Sequence, residues 1–183
     1  MNTTIDGSRV AFLVADGVEQ NDLTTVWKAV ERAGGIPVLV SPEDGRVQSM
    51  VGDQTRDTFA VDESTSDADA ADFVALVIPG GVMSADTLRA DAAAIAFTME
   101  MFEQRKPVAA VCHAPWVLVE AGIAEGRELT SYPSLRTDLE NAGAIWSNAM
   151  VVVDGLVLTS RRADERFTQR LIEVIRESSL QTV

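Results

Sequence analysis

The 183-residue sequence contains one cysteine and one histidine, and each scarcity removes chemistry. A lone cysteine, Cys112, cannot close an internal disulfide, which fits a reducing compartment. A lone histidine, His113, rules out a metal site with two imidazole ligands from one chain, and the H-E-x-x-H zinc pattern with it. No G-x-S-x-G, Walker or dinucleotide-binding glycine pattern is present. Basic residues are few as well. Fifteen Lys and Arg against 28 Asp and Glu leave a net charge of −13, without the basic footprint that nucleic acid or an anionic membrane requires. Residues 1–8 are polar and lack the positive-then-apolar pattern of a secretory signal. The longest apolar run, 73–83, is broken by Pro79-Gly80-Gly81 far short of a membrane span. A cytoplasmic protein with no metal, cofactor, nucleic-acid or membrane partner is expected.

What remains is 46% hydrophobic and long enough to bury one substantial core. The runs 9–15, 36–41 and 73–78, and the short apolar run after Lys106 that ends at Cys112, read as buried strands. Between them lie helical patterns: Leu23, Val26, Trp27 and Val30 on one face, then one long helix over 84–104. Residues 42–62 read as an excursion of one or two small strands, and 62–72 as an acidic loop with a short helical turn. Met150 to Ser160, apolar on both sides of Asp154-Gly155, is a strong hairpin signal. A last helix carries Phe167, Leu171, Val174 and Ile175. The alternation predicts a single α/β domain over 1–183, with a doubly wound, mostly parallel sheet between helices and residues 1–8 as a flexible tail.

The chemistry concentrates in Lys106 to Trp116, where a short strand ends in Cys112-His113 and helical sequence follows at once. Strand, sharp turn and helix with a nucleophile at the turn is the geometry of an enzyme elbow. A cysteine at a helix N-terminus has its thiolate stabilised and its pKa lowered. The plain alternative is a buried cysteine acting as a small hydrophobe. Ligands gather at the carboxyl ends of parallel strands, where three loops meet: 16–20, 79–84 and 112–115. They supply Glu19 as a carboxyl partner for the sulfur, the Gly80 and Gly81 amides as oxyanion donors, and Asp86 to orient His113 from its own subunit or a neighbour. Each also has a plain reading, as a helix-terminal charge or a tight turn.

Taken together, Val18 to Leu23, Val77 to Gly81, Ala110 to Pro115, Thr130 to Pro133 and Val151 to Gly155 resemble the ThiJ/PfpI superfamily, specifically its PfpI intracellular-protease branch. The resemblance spans nearly the whole chain. It implies a flavodoxin-like, class I glutamine amidotransferase-like fold, with Cys112 as nucleophile and Glu19 as its hydrogen-bonded partner. It also implies His113 and Asp86 as a triad completed across a subunit interface, Tyr132 near the site, and at least a homodimer. The chain departs from the pattern at Asp86, Ala114 and Asp22, where Glu, Gly and Glu are usual. Glutamine amidotransferase activity would need a distal histidine that this chain does not contain.

The expected function is a cofactor-free, cysteine-dependent stress-protection enzyme acting on carbonyl substrates, glyoxalase- or deglycase-like, with weak peptidase activity. Two alternatives stand beside it. One is a true intracellular cysteine peptidase or amidase; the other is a redox-sensing or chaperone stress protein working through oxidation of Cys112.

Overall fold

Val10 and Phe12 face one side of the central sheet and Ala11 and Leu13 the other, because successive side chains of a strand alternate. All four are fully buried, so this strand is covered on both faces, as its unbroken apolar run requires. The computed structural model describes residues 4–181. In chain order the first half comprises β1 (Arg9–Leu13), β2 (Val18–Glu19), α1 (Gln20–Arg32), β3 (Ile36–Ser41), β4 (Arg46–Val51), β5 (Gln54–Ala60), β6 (Glu63–Ser64), β7 (Ala75–Ile78) and α2 (Val82–Ala90). The second comprises α3 (Ala92–Glu103), β8 (Val108–Val111), α4 (Pro115–Glu120), β9 (Glu128–Leu129), α5 (Arg136–Asn141), β10 (Ile145–Trp146), β11 (Val151–Asp154), β12 (Val157–Ser160) and α6 (Glu165–Gln181).

Seven strands form the main sheet in the order β11-β12-β8-β7-β1-β3-β6, parallel throughout except for the β11–β12 hairpin. Helices α1 and α6 cover one face with Leu23, Val26, Val30, Phe167 and Leu171. Helices α2 to α5 cover the other with Leu88, Phe97, Met101, Leu118 and Leu139. The doubly wound flavodoxin-like expectation is met. Phe12 lies at the centre with no exposed surface; truncating it to alanine would cost roughly 3–5 kcal/mol through lost burial and the cavity left behind.

From β1 the chain moves outward to β3, then returns to the other side of β1 to build β7, β8 and β12. The loops after β1 and β7 therefore diverge above neighbouring strands, the position at which open α/β sheets bind their ligands. The β4–β5 hairpin and β2 form a separate three-stranded sheet beside it. Asp16 Oδ1 accepts from Gln48 N–H (2.7 Å), and Gly17 N–H donates to Gln48 O (2.8 Å), tying that sheet to the rim.

Two local expectations need correction. The helix read over 84–104 is two helices, broken at Asp91, whose backbone is extended (φ −91°, ψ 114°). Its carboxylate accepts from Ala94 N–H at 2.7 Å, so Asp91 caps α3 instead of continuing α2. The supposed tail is in part docked: Ile5 is buried, and its N–H donates to Ala33 O at 2.8 Å. Apolar burial at Ile5 and the bond from Gly7 N–H to Gly34 O hold this segment against the end of α1. Residues 1–3 of the expected tail lie outside the described residues.

Candidate active site

Strand β8 is buried along its whole length and is followed at once by Cys112, whose φ is +61°. That left-handed conformation costs a non-glycine residue on the order of 1 kcal/mol. Hydrogen bonds on both sides hold it: Cys112 N–H donates to Ser160 O (2.7 Å), and Cys112 O accepts from Tyr132 N–H (2.8 Å). Pro115 then starts α4 at a position where a missing N–H costs nothing. The expected elbow is present as geometry.

The turn brings Cys112 Sγ to 3.2 Å from His113 Nδ1. His113 Nε2 lies 3.4 Å from Ser134 Oγ. The imidazole is stacked on Tyr132, with centroids 4.7 Å apart and planes at 24°, and Trp116 lies 5.6 Å away on a tilted face. Burial pushes the His113 pKa down, so the ring is neutral near pH 7.

Behind the sulfur stands the carboxyl of Asp22, noted above only as a departure from the family pattern and given no role in the site. Asp22, on the inward face of α1, is only 5% exposed. Its Oδ1 accepts from Ala163 N–H at 2.9 Å. Burial raises its pKa to about 6, with Glu19 adding to the rise and the Ala163 and Gly80 N–H groups opposing it. Gly80 is the spacer that lets thiol and carboxyl approach. A Cβ there would fall 2.2 Å from Asp22 Oδ2 and 2.7 Å from Cys112 Cβ. Gly81 (φ +118°) is equally constrained, since its Cβ would lie 2.4 Å from Gly17 O.

This surrounding reverses the expected electrostatics of the thiol. The helix N-terminus predicts a lowered pKa, whereas the Cys112 pKa is pushed up to about 12. Burial is the first cause and the Asp22 carboxylate the second; the His113 and Gly81 N–H groups, both directed at the sulfur, pull the other way. Helix α4 has six residues, too few for its dipole to outweigh a buried anion. The resting group is a thiol.

The other expected residues are placed as follows. Glu19 Oε2 accepts from Gly52 N–H (3.3 Å) instead of bonding to the sulfur, and its backbone N–H donates to Gly80 O (2.8 Å). Asp86 does not reach His113 within the protomer. One of its oxygens takes both Nε (2.9 Å) and Nη2 (2.7 Å) of Arg89, one turn along α2. The Arg89 guanidinium lies 4.6 Å from the Trp116 ring centre. Tyr132 is half exposed and forms a wall against His113. Gly81 contributes an amide facing the sulfur, while the Gly80 amide faces Asp22. Asp22 could have been found from its position, since it belongs to the stripe that continues through Val26, Ala29 and Val30. Among the described residues, no three His, Cys, Asp or Glu side chains converge as a metal site would require.

Residues 8–174 match the sequence model of the DJ-1/PfpI family. The chain belongs to that family. It is 41% identical to "Putative cysteine protease YraA" of Bacillus subtilis over 86% of this chain and 90% of that one. It is 36% identical to Deglycase TK1284 of Thermococcus kodakarensis, covering 87% of this chain and 93% of the relative. General stress protein 18 of Bacillus subtilis is 37% identical over 87% and 91%. Among solved structures, a ThiJ/PfpI domain protein from Brachyspira murdochii superposes with a TM-score of 0.86 at 20% identity, covering 94% of this chain and 98% of that one, which speaks for the fold alone. As a DJ-1/PfpI-family member, the chain thus has relatives named for more than one activity. Among its described residues, no helix is long and apolar enough to cross a membrane.

Proposed function

We propose that this DJ-1/PfpI-family chain is a cytoplasmic, cysteine-dependent enzyme that acts on small carbonyl compounds or glycated groups. The observation that carries the reading is the strained Cys112 turn, which sets Sγ against a neutral imidazole and two amides at the carboxyl edge of the sheet. The deglycase names of several relatives agree with it.

The raised thiol pKa dictates how such a reaction begins. Sγ attacks the substrate carbonyl carbon as its proton passes to His113 Nδ1, so the thiolate need never accumulate. The carbonyl π pair moves to oxygen, where the Gly81 and His113 amides are the donors in reach. With a 2-oxoaldehyde, return of that proton from the imidazolium to the new oxyanion yields a hemithioacetal. Moving the C1 hydrogen to C2 as a proton, through an enediolate, oxidises the former aldehyde carbon and reduces the ketone. The product is the thioester of a hydroxy acid, which water cleaves to release the acid and regenerate the thiol. Asp22, with a pKa near neutrality, is the carboxyl suited to hold the migrating proton. No outside oxidant is needed.

Asp86 enters this reading only through a second subunit, since its own protomer keeps it on Arg89; a homodimer or larger assembly is therefore part of the proposal. The name of the relative YraA favours a peptidase as the second reading. A thiol kept protonated is a poor target for peroxide, which weighs against the redox-sensor alternative. Parallel turnover measurements with methylglyoxal and a panel of fluorogenic peptides test the choice. Faster Cys112-dependent turnover of the aldehyde supports the proposal; faster peptide turnover transfers the site to the peptidase reading.

A further inference from the structure

The charges around Cys112 are all of one sign. Among the described residues, the charged side chains that act on the sulfur are those of Asp22 and Glu19, both carboxylates. Backbone geometry explains how they come so close. Glu19 N–H donates to Gly80 O at 2.8 Å, and a Cβ on Gly81 would lie 2.8 Å from Glu19 N. A Cβ on Gly80 would meet both Asp22 and Cys112. Two residues without side chains thus seat the end of β2 against the turn that carries the thiol. The Glu19 side chain is half-buried at the rim, held there by the 3.3 Å bond from Gly52 N–H.

Arginines on the surrounding elements are turned elsewhere. Arg161 follows Ser160, whose carbonyl accepts from Cys112 N–H, yet its guanidinium goes to Asn148 and lies over Trp146. Arg89 is held by Asp86, and Arg136 by Glu140 at 2.9 Å. None of the three acts on the sulfur. A neighbouring subunit's Asp86, in the reading above, would add a third carboxylate. Clefts lined by one sign of charge sort small molecules by charge before any contact is made.

We propose that Glu19 is a specificity-determining residue: with Asp22 it makes the Cys112 site reject anionic carbonyl compounds, such as 2-oxo acids, and admit neutral or cationic ones. The inference deepens the carbonyl reading of this site and rests on it. Rejection by like charge is a repulsive element of specificity, needing no added contact to the preferred substrate. It also separates substrate from product. A 2-oxoaldehyde enters neutral, whereas the hydroxy acid released by hydrolysis carries a carboxylate. The last step of the reaction therefore creates the group that Glu19 and Asp22 repel, and turnover empties the site.

The test uses the fact that the chain has a single cysteine. Two methanethiosulfonates of similar size, one ending in trimethylammonium and one in sulfonate, convert Cys112 to a mixed disulfide and release methanesulfinate. Rates are measured at about pH 8, where Asp22 is ionised, and each is divided by that reagent's rate with free 2-mercaptoethanol. Any change in the thiol pKa cancels in the ratio of the two reagents. The cationic reagent should be faster by about tenfold or more. Glu19→Gln, which keeps an acceptor for Gly52 N–H, should shrink that ratio by about threefold or more. Glu177→Gln, beside Gly155 at the opposite edge of the sheet, should leave it unchanged. Equal rates for the two reagents, a ratio unaltered in Glu19→Gln, or one shrunk equally by Glu177→Gln would overturn the inference. Because the labelling needs no turnover, a protein that shows the charge preference yet ignores carbonyl compounds would sink the proposed activity and leave the charge selection at Cys112 standing. Methylglyoxal turnover without the preference would do the reverse.

Discussion

Cys112 Sγ and His113 Nδ1 belong to consecutive residues and lie 3.2 Å apart. In a regular strand consecutive side chains point to opposite faces. The φ of +61° at Cys112 is what turns the two toward each other. If this strain serves the site and not the fold, glycine should relieve it. Cys112→Gly is expected to be more stable than Cys112→Ala by about 1 kcal/mol, the reverse of their usual order within ordered elements. Thermal or urea denaturation of the two variants measures the difference; alanine equal to or better than glycine would remove the strain from the account.

The buried Asp22 makes both reactivity and stability depend on pH. Alkylation of Cys112 should show no step near the ordinary thiol range and rise only toward strongly alkaline pH, because the thiol pKa is pushed up to about 12. Asp22→Asn removes the neighbouring anion, so the step should move to lower pH. Stability shifts in a defined direction too. A carboxyl raised from 3.8 to about 6 contributes stability that is complete below 3.8 and is lost as pH rises through 6. The loss is roughly 3 kcal/mol for this almost fully buried group. Urea unfolding between pH 3.5 and 7 should therefore show a decline in wild type that Asp22→Asn flattens.

Gly80→Ala tests the close approach of Gly80 to both Asp22 and Cys112. Its methyl would meet Asp22 Oδ2 at 2.2 Å and Cys112 Cβ at 2.7 Å, distances no packing tolerates. The expected result is a destabilisation of about 1–3 kcal/mol, as for other overpacked sites, with loss of Cys112 reactivity. A variant with wild-type stability and alkylation rate would show that the two groups are not held together there.

Much of this was legible in the sequence, for reasons that also explain the misses. Strands buried on both faces announce themselves as unbroken apolar runs, so β1, β3, β7 and β8 and their parallel order could be anticipated. The Cys112 turn was legible because strand, lone Cys-His and helix are adjacent in the chain. Asp91 is a cap-type residue set inside an otherwise continuous helical pattern, which masks the break. The thiol's pKa was not legible at all. Its sign depends on Asp22, ninety residues earlier, which only the sheet order brings beside β8. Glu19 stands out in the sequence as a helix-terminal acid; Asp22, three residues on, carries the inward direction that Glu19 lacks.

The Asp86 expectation survives only as a property of an assembly. The pair with Arg89 is largely exposed, so Asp86→Asn should change stability by no more than about 0.5 kcal/mol. Turnover should nevertheless fall about tenfold or more if a neighbouring subunit's Asp86 orients His113. Mixed oligomers of Asp86→Asn and Cys112→Ser should then recover part of the lost activity, since one subunit supplies the sulfur and the other the acid. Sedimentation as a monomer, or no recovery on mixing, rules out the shared site.

Carbonyl chemistry at Cys112 is tested most directly by following methylglyoxal and its product together. Wild type and Cys112→Ser are incubated with methylglyoxal, and both aldehyde loss and hydroxy-acid formation are followed. The account predicts that wild type forms lactate in step with methylglyoxal consumption, while Cys112→Ser falls by roughly a thousandfold or more to background. Equal rates in the two proteins, or no lactate from either, would contradict it.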